Sequence, residues 1–364
     1  MDLLLVGSLK LGGLGIFIAE LSSIMSRYFD NVYIYSLHTP DPTLTQYVHM
    51  KNENIYVVTR YKRLIPLLTK KCNDFVLHLN YSSLLPIVGA KLRSPYSENF
   101  LVLTEHGFPQ PWYEEKILKL GYSLELSCLK WLVPNLVKKI TTISLYARKL
   151  IVDYINRPDV RVVYNGVNHS LFKPMLSEKV KQLQSLDNSS MNILFIGRLT
   201  KYKGAHIVFE AFKEVLRHQK DVRLLICGNG PLLRYIRKSM LQNDLKDKIK
   251  IFGPFRYVEL PYLYNSADIF VHASVNEMFG LTLVEAMACG LPIVASPTGA
   301  IPEIAGDAPL YFKPFDVKDL ADKLLTLLYD SNLRRKLSEK AVKRSSCFNW
   351  ENTAAQYLKI YYEQ

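Results

Sequence analysis

Short apolar runs alternate along the chain with longer stretches whose apolar positions return at helical spacing. Residues 3–6 form a buried-strand pattern, and residues 32–36, 55–59, 75–79 and 101–104 are further strand candidates. A glycine loop and an apolar helix pattern as far as Tyr28 follow the first run, and helical stretches lie between the others. Strands at 140–144 and 160–164 close this half, Asn165-Gly166-Val167-Asn168 is a turn, and residues from about 173 to 190 are polar and linker-like. The alternation then restarts, with strands at 192–196, 222–227, 249–252, 269–272 and 293–295. Helices are predicted at 205–216, 232–243, 257–266 and 282–289, a helical stretch at 318–345 and a final helix at 350–362. Regular strand–helix alternation predicts α/β architecture, a parallel sheet with helices on both faces, here twice over. At 364 residues the chain is long for one core and fits two domains. Two doubly wound halves imply a ligand cleft.

The segment 268–303 carries the densest chemistry. The strand at 269–272 enters a polar turn holding Glu277, then Phe279-Gly280-Leu281 and a helix carrying Glu285; Gly290-Leu291-Pro292 stops that helix, and after a second strand a Gly/Pro loop ends near Glu303. Unpaired backbone N–H groups and the positive end of a helix dipole near Gly280 suit a phosphate. Glu277 and Glu285 flank that point and can accept hydrogen bonds from hydroxyls, so the pattern fits a ligand with both phosphate and sugar hydroxyls, such as a nucleotide sugar.

Other candidates lie just past strands. Arg198 and Lys203, in GRLTKYKG, can neutralise a diphosphate, with Lys201 competing for the lysine's role; the alternative is a solvated basic loop. Gly228-Asn229-Gly230-Pro231 is either a turn or a wall of a nucleotide pocket, and the stretch around Phe255 is placed to reach a nucleobase through its backbone. Gly12, Gly13 and Gly15 follow the first strand without full dinucleotide spacing, so they are either a tight turn or a point of close backbone approach. His106, in TEHGFP at a strand end, faces a ligand or serves as a satisfied structural histidine; the other histidines lack such a setting.

The net charge is +13, divided +6 to Ser170 and +7 beyond, so no basic tail exists and an anionic partner is expected. Five scattered cysteines without a Cys-x-x-Cys pair predict free thiols in a reducing compartment. No Asp-x-Asp pair, metal-ligand cluster or Gly-x-Ser-x-Gly elbow occurs, so no metal or other cofactor is expected. No apolar run reaches spanning length, which predicts a soluble or peripheral, cytoplasmic protein. From 109 to 140 aromatic and basic residues interleave, among them Trp112, Trp131, Lys138 and Lys139; this is either a surface for anionic lipids or a buried helical face with a basic outer side.

Taken in order, GGLG, EHG, YNGV, IGRLTKYKG, CGNGP, FGPF and NEMFGLTLVEAMACGLPIVAS resemble the retaining glycosyltransferases of family GT4, over almost the whole chain. The resemblance implies the GT-B fold, two doubly wound Rossmann-like domains facing a central cleft. Residues 1–170 would form the acceptor-binding domain, 171–347 the nucleotide-sugar-binding domain, and 348–364 a helix returning to the first. It implies that Arg198 and Lys203 hold the donor diphosphate and that Glu285 binds the ribose. Glu277 would contact sugar hydroxyls, and the Gly280 and Leu281 amides, next to Phe279, the phosphate or sugar. His106 would sit beside the transferred sugar, Gly12 and Gly13 would let the first loop close on the donor, and Gly228 and Phe255 would border the nucleotide. It implies a glycan, lipid-linked or small-molecule acceptor, and retention by same-face attack without a metal. A nucleotide-sugar epimerase is the rival within enzymes; a phosphorylase would need a pyridoxal-phosphate lysine and a longer chain. A non-catalytic nucleic-acid-binding module is the rival outside them, disfavoured by scattered charge and the absence of a recognition motif.

Overall fold

The computed structural model describes residues 1–10, 12–36, 38–59, 75–80, 101–107, 130, 137, 139–176, 190–253 and 255–363. They form two compact units, Met1–Gly166 with Asn349–Gln364, and Val167–Phe348.

The first unit holds β1 (Asp2–Gly7), β2 (Val32–Ser36), β3 (Ile55–Val58), β4 (Phe75–Asn80), β5 (Leu101–Glu105), β6 (Lys139–Thr142) and β7 (Arg161–Val162). All pair in parallel in the order β3-β2-β1-β4-β5-β6-β7. Leu3, Leu4, Leu5 and Val6 are fully buried, which is why the first strand is apolar on both faces instead of alternating. The order reverses between β1 and β4, the switch point at which such sheets open to ligands. Helix α1 (Gly13–Met25) follows β1, and α2 (Pro42–His49), one of the helical stretches expected between strands, is started by Asp41, whose side chain accepts from Thr43 N and Leu44 N.

The second unit repeats the plan with β8 (Met191–Ile196), β9 (Val222–Cys227), β10 (Ile249–Phe252), β11 (Ile269–His272), β12 (Ile293–Ala295) and a short β13 (Leu310–Tyr311) not expected from sequence. Their order is β10-β9-β8-β11-β12-β13, so the switch point lies between β8 and β11. Ile193, Phe209, Phe212, Val271 and Leu324 belong to one apolar core. The expected helix at 257–266 is a 3-10 turn, Tyr257–Glu259, followed by an α-helix, Leu260–Asn265. The stretch 318–345 is two helices, Val317–Tyr329 and Ser331–Ser345, because Asp330 leaves helical geometry and its side chain accepts from Leu333 N to start the second. The loop expected to end near Glu303 closes as a short helix, Ile301–Ala305.

The C-terminal helix, Trp350–Tyr362, belongs to the first unit. Trp350 packs edge-on to Phe17, and Thr353 Oγ1 donates to Tyr164 O at 2.7 Å. Beneath the helix runs a buried polar chain. His78 Nδ1 meets Tyr361 OH and His78 Nε2 meets Thr104 Oγ1, both at 2.6 Å, and Thr104 Oγ1 reaches Thr141 Oγ1 at 2.6 Å and Tyr357 OH at 2.9 Å. Three adjacent strands thus hold two helix hydroxyls through one network. His78 was expected to lack a special setting; its place at the centre of this network comes from strand neighbours distant in sequence.

Lys139, one of the basic residues of the interleaved segment, is bound to the C-terminal helix. Its Nζ donates to Ile360 O at 2.8 Å and to Glu363 O, tying β6 to the last carbonyls of the C-terminal helix. Trp112, Trp131 and Lys138 lie outside the described residues. Among the described residues no helix is long and apolar enough to cross a membrane. Cys227, Cys289 and Cys347 are free thiols, and burial pushes the Cys227 thiol up to about 12.

Burial lowers His78, with His106 adding repulsion, and burial lowers His106; both fall to about 3. Above the unfolded value near 6.5 both states are neutral and the full stability is present. Below it the unfolded chain takes up protons that the folded chain refuses, until the folded values near 3 are reached. Stability is therefore expected to fall between pH 6.5 and 3, at up to about 1.4 kcal/mol per pH unit for each histidine. Urea midpoints across that window check this: His78→Gln is expected to have a shallower slope than wild type, and an identical slope would contradict the network.

Candidate functional site

The strand order sets the loops at the C-terminal edge of the second sheet side by side: 253 with 255–256, 228–230, 197–203, 273–280 and 296–300. Backbone bonds join them. Gly228 N donates to Phe252 O at 3.3 Å, Leu199 N to Asn229 O at 2.9 Å, Val275 N to Tyr202 O at 2.9 Å, and Ala300 N to Glu277 O at 2.8 Å. Gly228, Arg198, Lys203 and Glu277 are thereby brought onto one edge at the switch point.

Glu277 is the centre of charge. Lys203 Nζ lies 2.5 Å and Ser274 Oγ 3.0 Å from its Oε2, with His272 Nε2 at 3.6 Å from the same oxygen. Burial alone would raise the Glu277 carboxyl, but the Lys203 ammonium and His272 outweigh it and hold it well below the usual carboxylate range. The Glu277 side chain is 14% exposed and that of Lys203 23%, so the pair is largely shielded from water. Lys203, not the exposed Lys201, carries the ion pair. These contacts all fall on Oε2, which leaves Oε1 without a partner among the described residues.

The loop that carries Glu277 is held by close approach. A Cβ on Gly299 would come within 2.2 Å of Glu277 O, at a φ of +61°. Thr298 Oγ1 donates to Ser274 O at 2.6 Å from the same segment. Gly280, at φ +91°, turns the chain into the helix α3 (Leu281–Ala288), whose start has no side-chain cap. The helix therefore offers its first amides and the positive end of its dipole at the sheet edge.

Arg198 is exposed, and among the described residues its guanidinium has no ion pair or hydrogen bond. Glu285 is 2% exposed and accepts from Tyr264 OH at 2.7 Å, so the seat of this second glutamate is the interior of α3's packing face. The Phe279 side chain is buried edge-on against Phe348 at 5.6 Å and serves packing, while Phe255 is half-buried beside Phe252. Leu281, half-buried, begins α3.

In the first unit Gly12 and Gly13 are exposed at the start of α1. His106 follows β5; its Nε2 lies 2.8 Å from Asn80 Oδ1, and Phe17 packs edge-on to its ring at 4.3 Å.

Sequence reading missed His272, Ser274, Asn80 and Tyr264. His272 was grouped with histidines of no special setting, yet it ends β11 with its ring beside Glu277. The signal was present: a histidine closing an otherwise apolar strand, IFVH, five residues before the glutamate. Tyr264 gave no signal, because its partner Glu285 is reached only across a packed interface. Among the described residues no group of His, Cys, Asp and Glu could hold a metal ion.

The pair Lys203–Glu277 makes a measurable claim. Lys203→Met and Glu277→Gln are each expected to lower stability, because each strands a largely buried partner. The double variant is expected to lose less than the sum, with a coupling of about 1–2 kcal/mol after allowance for residual exposure. A double-mutant cycle by urea denaturation that closes additively would show the contact to be energetically silent.

Comparison with known proteins extends the picture beyond the site. Residues 177–344 match the family model of glycosyl transferases group 1, and residues 11–171 that of glycosyltransferase family 4. The chain is 31% identical over 226 residues to the D-inositol 3-phosphate glycosyltransferase of Corynebacterium efficiens, covering 59% of this chain and 53% of that protein. It is 29% identical over 304 residues to an uncharacterized glycosyltransferase of Methanocaldococcus jannaschii, covering 80% and 74%. The chain spans about half the length of most of the curated relatives it matches. Among solved structures, Anabaena HepE in complex with UDP and glucose superposes with a TM-score of 0.82 at 19% identity, covering 98% of both chains. A glycosyltransferase of Rickettsia africae gives 0.77 at 22%, covering 99% and 97%. At such identities the likeness is one of fold, and that fold is GT-B. With two family models running through nearly the whole sequence and both parallel sheets in place, the chain belongs to glycosyltransferase family 4.

Proposed function

We propose that this protein is a glycosyltransferase that moves a sugar from a nucleotide-diphosphate donor to an acceptor hydroxyl. The observation that carries this reading is the array at the β8/β11 switch point: Arg198, unpaired among the described residues, the Lys203–Glu277 pair and the uncapped start of α3 on one sheet edge. Arg198 and Lys203 bind the diphosphate, and the α3 amides take the phosphate oxygens or the sugar. Glu277 Oε1, left open by the crowding of Oε2, accepts from sugar hydroxyls. The relatives named as glycosyltransferases, and HepE holding UDP and glucose, support a nucleotide sugar as donor.

In the proposed reaction the bond between the anomeric carbon and the diphosphate oxygen breaks. The acceptor oxygen bonds the same carbon from the same face, and its proton passes to the departing phosphate. Negative charge grows on the diphosphate as the bond lengthens, and Arg198, Lys203 and the α3 dipole stabilise it most at that moment. These cations take the part a divalent ion would otherwise play, so the reaction is proposed to proceed without one and with retention. The acceptor is proposed to be a glycan, a lipid-linked sugar or a small polyol.

Melting temperatures with UDP-, GDP- and ADP-sugars test the donor, since a ligand of the native state raises the melting point. At least one is expected to stabilise the protein; none doing so would sink the reading. With that donor, Arg198→Ala and Lys203→Ala are each expected to cut turnover about a hundredfold, or about 3 kcal/mol. Turnover is expected to survive EDTA, and an absolute requirement for added Mg²⁺ or Mn²⁺ would overturn the metal-free mechanism.

A further inference from the structure

Strand β11 closes on His272, which is 4% exposed and pinned by its backbone. It pairs with Ala295 of β12, and its carbonyl accepts from Ser296 N at 2.9 Å. Three residues on, Val275 N donates to Tyr202 O at 2.9 Å, so the chain beyond it is held as well. One ring nitrogen, Nδ1, is buried without a partner among the described residues. The other, Nε2, lies 3.6 Å from Glu277 Oε2. A lone pair turned toward a carboxylate oxygen would be repelled, so Nε2 carries a proton, whatever the charge of the ring. An unanswered nitrogen in the interior costs stability, and an apolar side chain would fill the same place without that cost. The ring nitrogens therefore serve a purpose other than packing, and the neighbour of Nε2 shows which.

We infer that His272 is a positioning residue for Glu277. Its Nε2–H joins Lys203 Nζ and Ser274 Oγ in drawing the carboxylate's charge onto Oε2, which fixes Oε1 as the oxygen presented to the sugar part of a nucleotide sugar. A carboxylate turns about its last bond, and either oxygen answers a single cation equally well. Three donors gathered on one side oppose that exchange. At 3.6 Å the contact of His272 is too long for a full hydrogen bond, so its part is electrostatic and directional. All three donors lie in the second unit, Lys203 on the loop after β8, Ser274 on the loop after β11 and His272 at the end of β11 itself. The inference rests on the proposed glycosyltransferase reading for its ligand, whereas the coupling of His272 to Glu277 is a property of the free protein.

The test uses the reach of amide side chains. The amide nitrogen of glutamine can take the place of imidazole Nε2, and that of asparagine the place of Nδ1. His272→Gln therefore keeps a donor toward Glu277, His272→Asn withdraws it, and His272→Phe keeps a ring without nitrogens; melting temperatures check that each folds. In a urea-denaturation cycle on the free protein, His272→Asn and Glu277→Gln are expected to be non-additive, and additive losses overturn the inference with no ligand involved. Affinities are then measured for UDP-glucose, GDP-mannose and ADP-glucose, and for UDP, GDP and ADP. For the nucleotide sugar that binds, His272→Asn and His272→Phe are expected to weaken affinity about tenfold without weakening the bare nucleoside diphosphate, and His272→Gln is expected to restore most of the loss. Equal weakening of both ligands marks a role in packing and overturns the inference, as does a glutamine variant no better than the asparagine one. Failure of wild type to bind any of the six probes counts against the glycosyltransferase reading and overturns the sugar contact, while a non-additive cycle leaves the coupling of His272 to Glu277 standing.

Discussion

A carboxylate can sit in a nearly enclosed loop only if its charge is answered there, and Glu277 is answered by Lys203. That requirement organises the edge of the second sheet. Glu277 rides on the loop after β11, Lys203 on the loop after β8, and the two strands meet at the point where the winding order reverses. The bond from Val275 N to Tyr202 O and the close approach of Gly299 to Glu277 hold the loops at the distance the pair demands. Beside Oε2 the same edge carries the second carboxylate oxygen, the Arg198 guanidinium, unpaired among the described residues, and the amides of an uncapped helix. Such a set suits a ligand that is anionic at one end and hydroxylated at the other.

The same arrangement has an electrostatic consequence. Lys203 is already committed to Glu277, whereas the Arg198 guanidinium has no partner among the described residues. Lys203 keeps Glu277 ionised and placed.

In the first unit polarity is used inward. His78, Thr104 and Thr141 come from three neighbouring strands and meet two tyrosine hydroxyls of the C-terminal helix, with Lys139 holding the helix's last carbonyls. Satisfied hydrogen bonds at those depths specify one seating of the helix on the sheet, which apolar packing alone specifies less sharply. The cost is acid sensitivity, since a buried neutral histidine resists the proton that an unfolded chain accepts.

Much of this was written in the sequence. Contiguous apolar runs marked buried parallel strands, several at their observed bounds, such as 32–36, 222–227 and 269–272, because burial on both faces leaves no polar position to blur the pattern. Gly280 marked the start of a helix and Glu277 a charged loop before it, because backbone geometry and charge there are local properties. Breaks set by single side chains were less legible: Asp330 splits one helical stretch in two through its own capping bond. What only the tertiary structure decided is who faces whom. That Lys203 rather than Lys201 meets Glu277, that Lys139 serves a helix end, that His272 stands beside a carboxylate and that Asn80 meets His106 all depend on residues brought together across neighbouring strands and loops. Periodicity tells which face of an element is buried, but not which neighbour it is buried against, and hydrogen bonds between distant residues leave no mark at either end of the sequence that makes them.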